Sequence, residues 1–319
     1  MSVFILLLLP SAVGAQKVSA PDARQTLAVQ VALDRAGFSA GEIDGKGGPK
    51  TRQALAAYQK SSKLQPTGIA NEETLASLKV PADAVVRYTI SPEDVAGPFI
   101  GTLPDDMMER AKLDALSYAS ALESLAEKFH SSQTLLQSLN PGAKWAAGEE
   151  ISVPDVEPFD LPSKPVAASG VKSTSGSKPA VVAHGSEIVI SGTDRSLVVR
   201  DASGKVLMYA PVTVGSARDP LPVGQWKVVG VSWNPTFNYN PDLFWDADPT
   251  HAKAKIPAGP NNPVGVVWVD INKEHFGLHG TPEPSTIGRT ESHGCIRLTN
   301  WDATRLGRLV GPGTQVIIQ

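Results

Sequence analysis

The sequence predicts a multidomain chain with a helical front end, a small mixed α/β module and a mainly antiparallel β domain at its C-terminal end. Three observations lead to this prediction. Apolar residues recur at helical spacing within residues 26–80. Residues 157–184 are rich in Pro, Ser and Gly and keep no hydrophobic period, which is typical of a linker. From residue 187 onward, short β-branched runs alternate with turn residues.

Length and composition are those of an ordinary globular protein. The 319 residues allow two or three domains, and 41% hydrophobic with 19% charged residues is a usual balance. A net charge of −3 gives no indication of nucleic-acid binding. No later run approaches the length of about 20 apolar residues that crosses a bilayer, so no membrane span is expected once a leader is removed.

The first residues are typical of an export signal. Residues 3–10 are almost wholly apolar, and Val13-Gly14-Ala15 has the small side chains of a cleavage site. We therefore expect a signal peptide over residues 1–15 and a protein located in the periplasm or cell envelope. The alternative is a buried N-terminal strand or helix. The single cysteine, Cys295, has no partner for an intramolecular disulfide, so its thiol stays free in that oxidising compartment.

Residues 26–80 predict three helices, over 26–36, over 51–60 and from Asn71, as the cap, to 78. The stretch resembles the small three-helix peptidoglycan-binding domain of cell-wall enzymes. The resemblance rests on Gly37-Phe38, Ile43-Asp44-Gly45, Gly48, Thr51, Tyr58-Gln59, Leu64, Thr67-Gly68 and Thr74-Leu75. It implies binding to peptidoglycan, and the alternative is a generic three-helix bundle whose glycines close turns.

Residues 84–156 predict two helices, over 120–129 and from 131, then a break at Leu139-Asn140-Pro141-Gly142 and a final short strand. This order resembles a degenerate LysM glycan-binding module that lacks the usual Gly-Asp-Thr-Leu start. A structural spacer is the alternative. If the linker over 157–184 is flexible it spans roughly 30 Å, which would let a tethered catalytic domain search while the front end stays bound.

Residues 185–319 predict the mainly antiparallel β domain, with one helix over 301–309 capped at Thr299 or Asn300. This domain contains Ser292-His293-Gly294-Cys295-Ile296-Arg297-Leu298. A thiolate is the reactive form of cysteine, and a neighbouring imidazole takes the proton or stabilises the anion. His293 shares a face with Cys295 if the segment is extended, whereas His279 is adjacent only across a sheet.

Two neighbours of the cysteine add to the predicted chemistry. Arg297 lies on the same face as Cys295 in an extended strand, where its charge suits a substrate carboxylate and favours the thiolate. Gly294 allows close approach of the backbone to a reacting carbonyl. The N–H groups of Gly294 and Cys295 are therefore candidate oxyanion donors.

The C-terminal domain resembles the L,D-transpeptidase catalytic domain of YkuD type. The resemblance is carried by Pro222-Val223-Gly224, Gly259-Pro260-Asn261-Asn262-Pro263-Val264-Gly265, His279-Gly280-Thr281, Ile287-Gly288, Ser292-His293-Gly294-Cys295-Ile296-Arg297-Leu298 and Gly313-Thr314-Gln315-Val316. It implies that Cys295 attacks the third-residue carbonyl of a stem tetrapeptide. D-alanine then leaves, and an amine resolves the thioester.

The resemblance also implies a role for each site residue. His279 is the general base, oriented by the backbone carbonyl of Gly280, and His293 shapes the site and oxyanion region. Ser292 and Arg297 bind or position substrate. Asn261 and Asn262 order the loop that lines the site and are placed with the substrate-binding residues. No cofactor or metal is expected, and the partners are peptidoglycan stem peptides and glycan, with a wall-linked outer-membrane lipoprotein as one acceptor.

The same residue types also occur in two other classes of site. A zinc site would use His275, His279, His293 and Cys295. A papain-like peptidase needs a histidine after the cysteine, and none follows Cys295. The aromatic residues of the loop before the GPNNPVG stretch fit either a substrate lid or a small core. These are Trp233, Phe237, Tyr239, Phe244 and Trp245.

Two further functions stay open besides transpeptidation. Water instead of an amine would make the protein an L,D-carboxypeptidase or a lipoprotein-releasing hydrolase. Alternatively, the protein is a non-catalytic wall anchor whose β domain has lost activity. A covalent adduct at Cys295 would separate the enzymes from the anchor.

Overall fold

Three helices form the front domain of the computed structural model, which describes residues 22–162 and 187–319. They are α1 (Ala23–Arg35), α2 (Pro49–Ser61) and α3 (Glu72–Leu78). The Asn71 side chain caps α3 by accepting the N–H of Thr74 at 2.9 Å. The predicted three-helix bundle is confirmed. The predicted signal peptide lies outside the described residues.

The middle module is a strand pair with helices between the strands. Its elements are β1 (Val85–Thr89), α4 (Met107–Arg110), α5 (Ala121–Lys128), α6 (Gln133–Leu139) and β2 (Glu150–Pro154). β1 and β2 are antiparallel. The sequence predicted α5, α6 and β2 but missed β1, because β1 has no fully buried residue and so no clear alternation. The resemblance to a LysM module stays a prediction.

The C-terminal domain is built on an eight-stranded sheet and a separate hairpin. Its strands are β3 (Glu187–Ser191), β4 (Ser196–Arg200), β5 (Val206–Pro211), β6 (Gly224–Trp233), β7 (Phe237–Tyr239), β8 (Ala254–Ile256), β9 (Val267–Ile271), β10 (Gly277–His279), β11 (Ile296–Arg297) and β12 (Gln315–Ile318). The sheet order is β11-β10-β9-β6-β12-β3-β4-β5, and β7 pairs with β8. Only β10–β11 and β12–β3 are parallel among these neighbours. The predicted mainly antiparallel domain is confirmed.

The two edges of this sheet meet. Thr213, just after β5, exchanges backbone hydrogen bonds of 3.0 and 2.9 Å with Arg297 of β11. Helix α7 (Asn300–Leu309), capped by Thr299, packs Trp301 and Leu306 into the same core as the sheet. The core therefore holds β11 from one side and leaves its other face for the site.

The front domain and the middle module both contact the catalytic domain. Tyr209 of β5 donates its N–H to Gly37 at 2.8 Å and accepts from Ser39 at 2.9 Å, so the front domain extends the edge of the sheet. Ile43 makes similar bonds to His130 and Ser132 of the middle module. These contacts oppose the expectation of a freely searching catalytic domain.

A buried ionic junction joins all three units. The Asp34 carboxylate of α1 lies 3.1 Å from Nδ1 of His130 and 3.4 Å from Nη2 of Arg305 on α7. Burial by itself would raise the pKa of Asp34, but His130 and Arg305 outweigh it and lower this pKa to about 2. The junction therefore holds a charged aspartate where the three units meet.

Within residues 22–162 and 187–319, no helix is both long and apolar enough to span a bilayer.

Candidate active site

The register of three neighbouring strands brings the main site residues together. His279 of β10 is paired with Arg297 of β11 on one side and with Trp268 of β9 on the other. Paired residues of adjacent strands project to the same face of a sheet. Leu278 and Ile296, one position earlier on each strand, are fully buried in the core on the opposite face. Alternation along β10 and β11 therefore places the imidazole and the guanidinium together.

His279 is held in one tautomer. Its Nδ1 lies 2.7 Å from the carbonyl oxygen of Gly280, an acceptor, so Nδ1 carries the proton and Nε2 has a free lone pair. The ring is buried and stacks on Trp268 with centroids 5.4 Å apart and planes 14° from parallel. Burial and the nearby charge of Arg297 lower the pKa of His279 to about 3, against a smaller opposing effect of the Gly280 carbonyl. The imidazole is therefore neutral at physiological pH.

Cys295 directly precedes β11, and β11 is the neighbour of β10, the strand that carries His279. Its thiol is half-buried, and Sγ lies 3.7 Å from the carbonyl oxygen of His275. Burial raises the pKa of the Cys295 thiol, while the backbone N–H of Gly277 and the charge of Arg297 act in the opposite direction. The resting state that these environments favour is thus a neutral thiol on Cys295 and a neutral imidazole on His279.

Gly294 shapes the turn in front of the cysteine. Its φ of +103° lies in the left-handed region, and a Cβ there would come within 2.8 Å of the Phe276 ring. Within the described part of the chain, no acceptor takes a hydrogen bond from the N–H of Gly294 or of Cys295. Two adjacent backbone donors beside the thiol are the groups that an oxyanion hole requires.

Ser292 stabilises the same turn from its buried side. Its side chain is buried and donates to the carbonyl oxygen of Cys295 at 2.6 Å. Its backbone N–H donates to the carbonyl of Val214 at 3.0 Å. The hydroxyl that the resemblance placed on substrate therefore holds the cysteine loop in this conformation.

Arg297 supplies an unpaired positive charge on the site face. Within the described residues, no carboxylate lies in ion-pair distance of its guanidinium. Burial lowers the pKa of Arg297, and Cys295, Glu283 and Asp246 oppose that effect. A half-buried cation without a protein partner suits an anionic group of a bound substrate.

The segment that holds His293 and Cys295 is not extended. Residues 293–295 form a bend, because Gly294 has the positive φ given above. The imidazole turns away to Asp246, with Nε2 2.8 Å from Oδ1, and packs edge-on against Phe244 at 5.1 Å. The extended segment on which the expected shared face of His293 and Cys295 depended is therefore absent.

Asn261 and Asn262 order a loop and are not open to substrate. Both side chains are buried. The Asn261 amide donates to the carbonyl of Ser117 at 2.9 Å, and the Asn262 amide donates to that of Pro257 at 2.6 Å. Their donors face the protein interior, so the assignment to substrate binding is corrected, while the ordering of the loop agrees with expectation.

Some aromatic residues of the loop over residues 233–245 lie in a small core, and one lies at the rim of the site. Tyr239 is buried in a small core beneath the loop, with Phe237 and Phe244 packed against it. Trp245 is 53% exposed, and its indole is fixed by a hydrogen bond of 2.8 Å to Asp219 and by the Arg218 guanidinium 4.3 Å from the ring centroid. Trp245 also lies 5.8 Å from the His293 ring, at the rim of the site.

The zinc arrangement is not supported by the side-chain directions. Nε2 of His293 faces Asp246, Nδ1 of His279 faces Gly280, and Nε2 of His275 lies 3.5 Å from Glu274. Across residues 22–162 and 187–319, no three or more His, Cys, Asp or Glu side chains are grouped to hold a metal ion.

Sequence reasoning missed Asn300, Glu127 and Trp268. Asn300 was considered only as a helix cap, yet its buried amide contacts the glycine backbone behind His279. Glu127, buried in α5, is its partner at 2.8 Å. No local pattern would have identified Glu127, because its partner Asn300 lies 173 residues away in the sequence.

Two family models match the chain. One, YkuD, is described as "L,D-transpeptidase catalytic domain" and matches residues 185–318. The other is described as "Putative peptidoglycan binding domain" and matches residues 23–78. Both matches fall on the domains for which the sequence predicted these families.

Several known proteins are similar to this chain. "Putative L,D-transpeptidase YkuD" of Bacillus subtilis (strain 168) is 26% identical over 200 residues, covering 62% of this chain and 92% of that relative. "Probable L,D-transpeptidase YbiS" of Escherichia coli (strain K12) is 30% identical over 134 residues, covering 40% of this chain and 43% of that relative. Among solved structures, an L,D-transpeptidase from Mycobacterium smegmatis matches with a TM-score of 0.35 and 22% identity, over 42% of this chain and 59% of that one.

One conclusion follows from the sequence motifs, the geometry around Cys295 and the family matches. Residues 185–318 of this chain are an L,D-transpeptidase catalytic domain of the YkuD family, and residues 23–78 are a peptidoglycan-binding domain in front of it.

Proposed function

We propose that the protein acts on peptidoglycan in the cell envelope as an L,D-transpeptidase, with Cys295 as the acyl carrier and His279 as its base. The observation that carries the proposal is the hydrogen bond from His279 Nδ1 to the Gly280 carbonyl. It leaves Nε2 as the acceptor, on the strand adjacent to the thiol. The peptidoglycan-binding domain supports the substrate class.

In the first half-reaction the Cys295 sulfur attacks the third-residue carbonyl of a stem tetrapeptide, and the thiol proton passes to His279 Nε2. The N–H groups of Gly294 and Cys295 stabilise the oxyanion. When the peptide C–N bond breaks, the proton moves from the imidazole to the amine of the departing D-alanine. A thioester on Cys295 remains.

In the second half-reaction an amine attacks the thioester carbon. His279 takes the proton of that amine and returns it to the sulfur as the C–S bond breaks. The acceptor amine belongs to a diamino acid of another stem, to a free D-amino acid or to a lysine of a wall-linked lipoprotein. The Arg297 charge, which has no ion-pair partner in the described chain, positions a carboxylate of the donor stem.

The test is mass spectrometry of the full-length protein incubated with a disaccharide tetrapeptide, followed by analysis of the muropeptides. We expect a disaccharide-tripeptide adduct on Cys295 and new stem-to-stem links, both absent in Cys295→Ala. Release of D-alanine without new links would identify a carboxypeptidase, and release of lipoprotein from isolated walls a hydrolase. No adduct with either the tetrapeptide or a carbapenem would overturn the enzymatic proposal in favour of a wall anchor.

A further inference from the structure

The middle module reaches the backbone that supports His279. Glu127 of α5 accepts a hydrogen bond of 2.8 Å from Nδ2 of Asn300, the first residue of α7. Both side chains are buried, Asn300 completely. The contact therefore crosses from the module over residues 84–156 into the catalytic domain without solvent between them.

Hydrogen bonds to both polar atoms of the Asn300 side chain hold it in one orientation. Its Nδ2 donates to Glu127 and also to the carbonyl of Pro260 at 3.1 Å. Its Oδ1 accepts the backbone N–H of Val266 at 3.2 Å. Since the carbonyl of Pro260 can only accept and the N–H of Val266 can only donate, the amide cannot flip without losing these bonds.

The same amide is packed against two glycines. A Cβ on Gly280 would lie 2.2 Å from Oδ1 of Asn300, and a Cβ on Gly265 would lie 2.1 Å from it. No side chain fits at either position while Asn300 stays in place. This contact gives a physical reason for the glycine that follows His279 in the chain.

Gly280 in turn orients the base. Its carbonyl oxygen takes the Nδ1 proton of His279 at 2.7 Å, and its N–H donates to Val267 at 3.2 Å. A shift of the Gly280 peptide would therefore rotate the imidazole or loosen it. Misplacement of a catalytic group by about 1 Å costs on the order of a hundredfold in rate.

The middle module also contacts the GPNNPVG loop, residues 259–265 of the catalytic domain. The N–H of Leu116 donates to the carbonyl of Ala258 at 2.9 Å, and the N–H of Asn261 donates to the carbonyl of Leu116 at 3.0 Å. A Cβ on Gly259 would lie 2.2 Å from the Leu116 oxygen. The loop that resembles a substrate-lining element thus docks the module.

We infer that Glu127 is a positioning residue for His279, acting through Asn300 and Gly280, and that the middle module thereby forms part of the support of the active site. The inference rests on the proposed function, since it assigns a purpose to the orientation of the base. It gives the module a role whether or not the module binds glycan.

The surroundings of Glu127 suit this role. Tyr118 donates its hydroxyl to the other carboxyl oxygen, Oε2, at 2.7 Å. Burial raises the pKa of Glu127 to about 8, although the bonds from Tyr118 and Asn300 oppose it. A glutamine at this position keeps an acceptor for Asn300 and offers a donor to the tyrosine oxygen, so Glu127→Gln is the conservative variant.

The test compares acylation of Cys295 by a carbapenem in full-length variants, followed by mass spectrometry. Glu127→Ala should lower the rate constant for acylation by roughly ten- to a hundredfold with little change in the inhibitor concentration that half-saturates the rate. Glu127→Gln should restore it. Ser39→Ala is the matched control, because it removes another buried bond to α7, of 2.8 Å to Asp302, that does not reach Gly280.

A double-variant cycle tests whether the effect passes through the base. In a His279→Ala background, Glu127→Ala should not slow the residual acylation further. An additive loss, a wild-type rate in Glu127→Ala, or an equal loss in Ser39→Ala would overturn the inference. Melting temperatures of all variants show whether a loss follows general destabilisation.

A measurement without turnover separates this inference from the proposed function. In protein labelled with ¹⁵N-histidine, the Nδ1 signal of His279, assigned by its absence in His279→Ala, should move in Glu127→Ala and stay in Glu127→Gln. If the signal behaves so but no adduct ever forms, the transpeptidase proposal fails and the positioning contact stands. If the adduct forms and the signal is unchanged in Glu127→Ala, only the positioning inference fails.

Discussion

The His279 imidazole lies flat against the Trp268 indole, with ring centroids 5.4 Å apart. The two residues are direct partners on neighbouring antiparallel strands. The indole also covers Gly277, where a Cβ would come within 2.4 Å of the tryptophan ring. One aromatic side chain therefore limits the positions open to the base and requires the glycine two residues before it.

We predict that Trp268→Leu slows acylation of Cys295 by roughly tenfold, because the imidazole gains freedom to leave its productive orientation. Substrate affinity should change little, so the loss appears in kcat and not in KM. Trp226→Leu is the control, since Trp226 is a half-buried tryptophan of β6 paired with Val316, away from the base. Equal losses in both variants would contradict a specific role of the stacking.

The reactivity of Cys295 should rise with pH. Burial raises the pKa of its thiol, so the rate of alkylation by iodoacetamide should increase through a midpoint above the ordinary cysteine value of about 8.5. Arg297 favours the thiolate, so Arg297→Gln should move the midpoint higher still. A plateau already reached at neutral pH would show a resting thiolate–imidazolium pair and contradict the neutral state described above.

Gly294→Ala should impair acylation and stability together. Its φ of +103° is costly for alanine, and the new methyl group would press on Phe276 at 2.8 Å. We expect a loss of about 1–3 kcal/mol in the free energy of unfolding and at least about tenfold in acylation rate, since both candidate oxyanion donors adjoin this residue. Chemical denaturation and acylation kinetics measure the two effects.

Gly313→Ala is the matched control for that variant. Gly313 has a similar φ of +93°, but no atom lies within 4 Å of its added Cβ. It should show a comparable backbone cost and a wild-type acylation rate. If Gly313→Ala slows acylation as much as Gly294→Ala does, the oxyanion role of the turn loses its support.

Glu127 should make the folded state less stable as pH rises. Its pKa is about 8 in the folded protein, above the unfolded value, so the folded state holds a proton that the unfolded state has released. Stability should therefore fall between about pH 4.5 and 8, by on the order of a few kcal/mol. Urea unfolding at pH 5 and pH 8 should show a smaller decline in Glu127→Gln than in the wild type. An equal decline would show that Glu127 does not titrate in this range.

Several features of the protein could be predicted from local sequence. Helical spacing with a cap at Asn71 located α3, and alternating β-branched runs located the strands of the catalytic domain. The short motif around Cys295, with His279-Gly280 upstream, led to the family that the comparisons confirm. Each of these signals is a pattern of residue types along the chain, which is why no tertiary structure was needed to find it.

Other features depend on residues that meet only in the folded chain. The exposed strand β1 carries too little apolar alternation to be recognised, and the bend at Gly294 sends His293 to Asp246. Asn261 and Asn262 have the residue types of a polar binding loop, but their amides meet carbonyls of the interior. Hydrogen-bond partners distant in the sequence leave no local period by which to predict them.

The sequence by itself determined the nucleophile candidate, the family and the order of the domains, because each rests on residue types at fixed short spacing. Tertiary structure alone decided how the parts support one another. It placed Trp268 against His279, aligned Asn300 with Gly280 and brought Glu127 of another domain to Asn300. The physical reason is that a base is oriented by close contacts across strands and domains, and such contacts exist only once the chain has packed.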